Sequence, residues 1–230
     1  MQLTVRDVSK FLNISERTVY RYIRTGSIPA YKFQDQYRFN RAEIIEWATS
    51  RRMNVFPEIF HEPESSATPL PVLSEALRIG GVHYRLEGVD KETVLKNMVE
   101  VMNLPSEVDR DFLYKVLLAR EALSSTGIGD GIAIPHARNP VVLNVPQPTI
   151  ALFFLEKPVD FDSLDGKPVF CLFTMASPTV RAHLHLLSKL AFALKNGEFY
   201  ESITKQASRD DIFRSVTKFE NTLFNNNIKA

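Results

Sequence analysis

The feature most suggestive of chemistry is a histidine placed directly after a proline. His136 closes the step Ile132-Ala133-Ile134-Pro135-His136, so an apolar run delivers it and the proline stiffens the approach. Just before it lies Ser124-Ser125-Thr126-Gly127-Ile128-Gly129-Asp130-Gly131, with three glycines in five residues. Glycine lets backbone approach a ligand closely. Hydroxyls, glycine N–H groups and two arginines, Arg120 and Arg138, surround the step and suit an anion. No Gly-Lys-Ser/Thr follows, so the segment is not a P-loop, and its spacing is not a dinucleotide fingerprint. The bland alternative is a hydrogen-bonded structural histidine.

A second histidine lies on a helical pattern running from Thr179 to Asn196, after Ser177 as candidate cap and Pro178 in the first turn. Leu184, Leu186, Leu187, Leu190, Ala191 and Leu194 form its apolar arc, and His183 falls within that arc. His183 therefore points inward at the helix start. His185 lies about 160° away, which predicts a solvent-facing residue. The single cysteine, Cys171, sits in an apolar run and is expected in the core. It can form neither an internal disulfide nor a thiolate cluster. With no Cys/His ligand cluster, neither a metal nor a cofactor is expected.

The elements that position these residues read as an α/β domain. Helical periodicity runs over Asp90–Met102 and over Ser106–Glu121, the latter using Phe112, Leu113, Val116 and Leu117. Thr149–Leu155 and Val169–Phe173 are near-continuous apolar runs, the pattern of strands buried on both faces. A further helix is expected from Arg209 to Phe219. The fold class is thus α/β, a mixed sheet flanked by helices, preceded by a small winged helix-turn-helix domain.

The evidence for that first domain is local. Thr4 and Asp7 form a capping box, and Ser15 caps a second helix that Gly26 ends. Val19, Tyr22 and Ile23 group on one side of this second helix; Arg17, Tyr20, Arg21 and Arg24 group on the other. Aromatics alternate around Gln34-Asp35-Gln36, a hairpin pattern with Lys32 and Arg38 flanking its tip. Asn40 with Glu43 caps a third helix whose core residues are Ile44 and Trp47. Net charge is only +1 over 230 residues, but residues 1–60 carry ten Lys/Arg against six Asp/Glu. A basic stripe on a helix fits DNA, whereas a solvated charged face is the bland reading. Such binding is expected to weaken steeply with salt if these side chains meet phosphates.

The expected organisation is a DNA-binding domain over 1–55, a Pro/Ser-rich linker over 56–72, the α/β domain over 73–221 and a polar tail over 222–230. No apolar run reaches the roughly 20 residues of a membrane span. No secretory leader is visible, so a cytoplasmic location is expected.

Two family resemblances follow. The segment RTVYRYIRTGSIPAYKFQDQYRFNRAEIIEWA resembles the excisionase/MerR-like winged-helix family, over about residues 2–52. This implies DNA contacts through Arg17, Thr18, Tyr20, Arg21, Arg24, Lys32 and Arg38. LLAREALSSTGIGDGIAIPHAR and AHLHLLSKLA, with VDFDSLDGKPV and MASP between them, resemble the enzyme IIA domain of the fructose/mannitol class of the phosphoenolpyruvate-dependent phosphotransferase system and its nitrogen-regulatory relatives, over about residues 74–221. That resemblance implies that His136 accepts a phosphoryl group, that His183 assists it and that Arg120 holds phosphate oxygens. Backbone N–H groups at Thr126, Gly127, Gly129 and Gly131 would complete a cradle. His136 would then lie exposed in a hollow, with the His183 ring leaning over it.

The implied partners are a phosphocarrier protein as donor, a IIB protein or a regulatory target as acceptor, and DNA. One small winged helix reads few base pairs, which leaves room for a homodimer. Three functions remain open: a regulator coupling phosphorylation to DNA binding, a IIA component of a sugar-transport relay, and an interaction module on an inactive scaffold.

Overall fold

A computed structural model describes residues 2–33, 36–51, 53, 70–137, 145–195 and 197–227. Residues 54–69, which take in the expected linker up to position 69, the hairpin tip at Gln34-Asp35 and Arg138 lie outside the described residues. The chain divides into two units, Met1–Pro69 and Leu70–Ala230.

The first unit is short helices locked by caps. β1 (Gln2–Leu3) leads into α1 (Val5–Phe11), whose cap Thr4 accepts from the Asp7 N–H while Asp7 accepts from the Thr4 N–H at 2.9 Å. Such a cap stabilises a helix by about 1 kcal/mol. Asn13, at φ 50°, turns the chain into α2 (Glu16–Arg24), capped by Ser15. Gly26, at φ 64°, ends that helix in the left-handed region. β2 (Tyr31–Phe33) and β3 (Gln36–Asn40) form the wing, and β3 is central in the antiparallel order β1-β3-β2. α3 (Arg41–Ser50) closes the unit. Val8, Phe11, Val19, Phe39, Ile44 and Ile45 are its fully enclosed core. The Trp47 indole N–H donates to the Ser27 carbonyl. Asn40 caps α3 alone, accepting from Ala42 at 2.9 Å, because Glu43 is taken by the Tyr31 hydroxyl.

The second unit builds one mixed sheet. Its elements are α4 (Leu73–Gly80), β4 (Val82–Leu86), α5 (Lys91–Val101), α6 (Arg110–Leu123), β5 (Gly127–Gly129), β6 (Ile132–Ala133), β7 (Thr149–Val159), β8 (Val169–Ala176), α7 (Val180–Ala193), α8 (Gly197–Thr204) and α9 (Arg209–Asn227). The strand order is β4-β7-β8-β6-β5. β4 runs parallel to β7 and β6 parallel to β8, while β7–β8 and β5–β6 are antiparallel. Apolar residues on both faces of β7 and β8 are buried. Phe153, Leu155 and Leu172 join Leu95, Met98, Leu113 and Leu117 of α5 and α6. On the other face Phe173 meets Phe199 of α8, ring centroids 6.3 Å apart.

Several expected boundaries shift for identifiable reasons. α6 begins at Arg110, capped by Asp109, so Leu113 and Leu117 share its inner face and Phe112 is left 44% exposed instead of in the core. Thr179, not Ser177, caps α7 and accepts from the Ala182 N–H at 3.1 Å. The helix begins at Val180, so Pro178 precedes it instead of standing in its first turn. α9 continues past Phe219, so residues 222–227 are helical and not tail.

The start of the second unit is held from a distance. No side chain of Val72 caps α4; instead the Glu220 carboxylate of α9 accepts from the Leu73 N–H at 2.7 Å and the Ser74 N–H at 3.0 Å. A carboxylate there satisfies orphan donors and complements the helix dipole. Glu220→Ala should therefore cost about 2 kcal/mol in urea unfolding. A loss under 0.5 kcal/mol, the scale of an inconsequential surface change, would show the cap to be dispensable.

Candidate functional site

His136 is placed by sheet register. Ile132 pairs with Cys171 and Ala133 with Leu172, and His136 then pairs with Met175 in parallel. Three residues advance on each side, so the chain stays extended through Ile134-Pro135. The His136 Nδ1 lies 2.7 Å from the Ile134 carbonyl oxygen. A carbonyl only accepts, so Nδ1 carries the proton, and in the neutral ring the lone pair is then on Nε2.

His183 meets it from α7. Its N–H donates to the Thr179 carbonyl in the helix's first turn, and its ring centroid is 5.3 Å from that of His136, tilted by 41°. The two rings are thus brought together as expected from the apolar arc. The expected exposure is not found: His136 is 5% and His183 3% exposed. The bridge to Met175 buries the His136 backbone, and the neighbouring imidazole covers part of its ring.

Arg120 ends α6 and is 7% exposed, with an Nη donating to the Ser124 carbonyl at 2.8 Å and to its hydroxyl at 3.1 Å. Thr126 and Gly127 lie beside the histidine end of the β5–β6 hairpin: the Thr126 carbonyl accepts from the Ile134 N–H, and Gly127 pairs with Ala133. A Cβ on Gly127 would come within 2.1 Å of the Ser163 hydroxyl, so Ser163 would have to move for any larger residue. Gly129 pairs with Ile132, and Gly131 is in the turn, where its carbonyl accepts from the Phe170 N–H at 2.8 Å. At about 3.3 Å per residue, Gly131 is roughly 16 Å along the strand from His136. The hairpin therefore separates Gly129 and Gly131 from the two rings.

One buried acid escaped the sequence reading. Glu121 is 5% exposed, and its carboxylate accepts from both the N–H and the hydroxyl of Thr126. Burial pushes its carboxyl above the usual range, against those hydrogen bonds and the positive charges of Lys91 and Arg120. The only available signal was an acid five residues before a threonine in the glycine-rich run.

His185 corrects an expectation. It is 6% exposed, not solvent-facing, because Pro71 and the Glu220 end of α9 lie over that side of α7. Burial, with Lys189 second, depresses its pKa to about 4. Cys171 is fully buried in β8, and its thiol is pushed up by burial.

In the first unit, Arg17, Arg21, Arg24 and Lys32 are exposed, and Tyr20 is 45% exposed. The Tyr20 ring meets Tyr37 of the wing edge-on at 6.4 Å, tying α2 to β3. Thr18 is half-buried, its hydroxyl 2.9 Å from that of Ser15. Arg38 is half-buried and donates to the Gln36 side chain. Among the described residues no group of three His, Cys, Asp or Glu could hold a metal, and no helix is long and apolar enough to cross a membrane.

Comparison with known proteins places this geometry. An α/β unit with two apposed histidines at a sheet edge and helix start follows a helix-turn-helix unit. Residues 75–219 match the family described as phosphoenolpyruvate-dependent sugar phosphotransferase system, EIIA 2, and the chain belongs to that family. Residues 3–52 match a helix-turn-helix domain family. The nitrogen regulatory protein of Pseudomonas aeruginosa is 33% identical over 153 residues, 65% of this chain and 97% of that protein. The fructose-specific EIIABC component of Bacillus subtilis is 34% identical over 151 residues, 64% of this chain but only 23% of that longer protein. The crystal structure of nitrogen regulatory protein IIA-Ntr from Neisseria meningitidis superposes with a TM-score of 0.56 at 30% identity, covering 64% of this chain and 99% of that one.

The His185 environment sets a pH dependence. Above about pH 6.5 the ring is neutral in both folded and unfolded chains. Below it the unfolded chain takes up a proton that the folded one refuses until about pH 4, so stability falls across that window. The expected loss from this group is about 3 kcal/mol. His185→Gln should flatten the fall in urea midpoint between pH 6.5 and 4; an unchanged slope would show that other groups set it.

Proposed function

We propose that this protein is a regulator in which a phosphoryl group accepted at His136 Nε2 alters how the helix-turn-helix unit engages DNA. The observation that carries the reading is the Nδ1–Ile134 hydrogen bond, which leaves Nε2 as the nucleophile beside the His183 ring. The Nε2 lone pair attacks phosphorus, and the bond from phosphorus to the leaving nitrogen of a phosphorylated carrier protein breaks. The electron pair returns to that carrier. Phosphoryl transfer needs positioning and charge stabilisation more than covalent machinery. His183 donates to the arriving oxygens, Arg120 offers a forked cation, and the Thr126–Gly127 backbone lies close by. A IIB protein or a regulatory target would take the phosphoryl group onward.

The regulatory half rests on exposed Arg17, Arg21 and Arg24 of α2, with Lys32 and Arg38 on the wing, presented to phosphates and base edges. Phosphorylation adds about −1.5 to −2 charge to the second unit. The nitrogen regulatory names of several relatives favour this reading. The fructose-specific relative favours another, in which the chain is a IIA component of a transport relay.

Incubation with phosphoenolpyruvate, enzyme I and phosphocarrier should place an acid-labile label on His136, and His136→Ala should carry none. Label on another residue refutes the site assignment. In gel shifts the labelled protein should differ from the unlabelled in DNA affinity; equal affinities would remove the coupling. Removing residues 1–55 separates the two readings. Under regulation, gene control is lost while the label and sugar uptake survive; under transport, the truncated chain's loss or retention of uptake follows its label and gene control never depended on it.

A further inference from the structure

Behind the histidine pair lies an unbroken line of hydrogen bonds. It starts at the Glu121 carboxylate, enclosed at 5% exposure in the last turn of α6. The Thr126 N–H donates to its two oxygens at 3.2 and 3.1 Å, and the Thr126 hydroxyl donates to one of them. The Thr126 carbonyl then accepts from the Ile134 N–H at 3.0 Å. The Ile134 carbonyl accepts from His136 Nδ1 at 2.7 Å. Every link is a donor facing an acceptor, and every link points the same way, from the imidazole N–H to the anion.

We infer that Glu121 is a positioning residue for the phosphoryl transfer proposed above, acting through Thr126 and Ile134 to hold His136 with its proton on Nδ1. The inference rests on that reading for its function, but not for its geometry. At Thr126 and at Ile134 the line passes through the residue's Cα, from the carbonyl of one peptide group to the N–H of the one before it, so it transmits position rather than charge. By pinning Thr126, and through it the Ile134 peptide, Glu121 holds the Ile134 carbonyl where it accepts from Nδ1, which favours the tautomer with Nδ1–H. That tautomer is the one whose Nε2 can attack. The same bonds hold the hairpin end in place, so the ring is fixed in direction as well as in protonation. Lys91 and Arg120 are the positive groups acting on Glu121, and Lys91 is itself paired with Asp162. They and the two Thr126 donors oppose the rise that burial imposes on its carboxyl. A group that orients a reactive histidine from behind its ring is a recurrent device, and here it acts at one remove, through the backbone of Thr126 and Ile134.

The test uses the full chain carrying 15N-histidine. Ring nitrogen shifts of His136 are read in the unphosphorylated protein at neutral pH, and the rate of labelling by phosphoenolpyruvate, enzyme I and phosphocarrier is read separately. The wild type should show a protonated Nδ1 and a bare Nε2. Glu121→Ala and Thr126→Val should move the ring towards a mixture of tautomers and slow labelling about tenfold. Glu121→Gln, which keeps an acceptor but no charge, should fall between. Thr126→Ser, which keeps both donors, should restore wild-type shifts and rate. If Glu121→Ala does not fold, Glu121→Gln and Thr126→Val carry the test. Folded variants that keep the wild-type ring shifts and labelling rate, however much stability they lose, overturn the inference. Wild-type protein that takes no label on His136 overturns the proposed function instead, and the ring shifts still decide the role of Glu121.

Discussion

The hydrogen bond from His136 Nδ1 to the Ile134 carbonyl is the constraint around which the second unit is arranged. It is local, two residues apart, yet it forms only because Pro135 and the pairing of His136 with Met175 keep the chain extended. That pairing needs β6 to run parallel to β8, and β8 needs β7 as its antiparallel partner. The long apolar strands thus serve as a ruler that sets where a short, glycine-rich hairpin ends. The helix after β8 then returns His183 to the same place, because α7 starts four residues beyond the end of that strand.

The parts of this arrangement that sequence revealed are those whose signal is local and strong. Thr4 with Asp7, and Ser15, announce helix starts because a cap is a short-range pattern of hydroxyl and acid. β7 and β8 are legible because strands buried on both faces must be apolar throughout. β5 and β6 are three and two residues long, too short to show a period, and exist as strands only through their partners. α4 was hidden for a different reason. Its cap is supplied by Glu220, 147 residues away, so no residue near Val72 marks its start.

His185 and Glu121 show where pattern reading fails at the site itself. A helical wheel gives the angle of His185 correctly, but it cannot say what lies outside that face. Here α7 is covered on both sides, so a polar position became an enclosed one. Glu121 stands next to Arg120 in a charged last turn, where an acid ordinarily faces water. Only the fold of the α6–β5 connection, which brings Thr126 back over the helix end, turns it inward.

Enclosure of the two rings also shapes the chemistry. A phosphoryl group arriving there brings about two negative charges into a space where an unmatched charge is costly. Under the proposed function that charge would be met by the second imidazole and the guanidinium of Arg120, since the Thr126 N–H is held by Glu121 and the Gly127 N–H by the Ser125 hydroxyl. Glu121 is an acid on the same side, and Thr126 satisfies its oxygens and stands between it and Ile134. An acid that faced the phosphoryl group directly would repel it. Under the proposed roles, an acid set behind Thr126 orients His136 without opposing the charge that a phosphoryl group would bring.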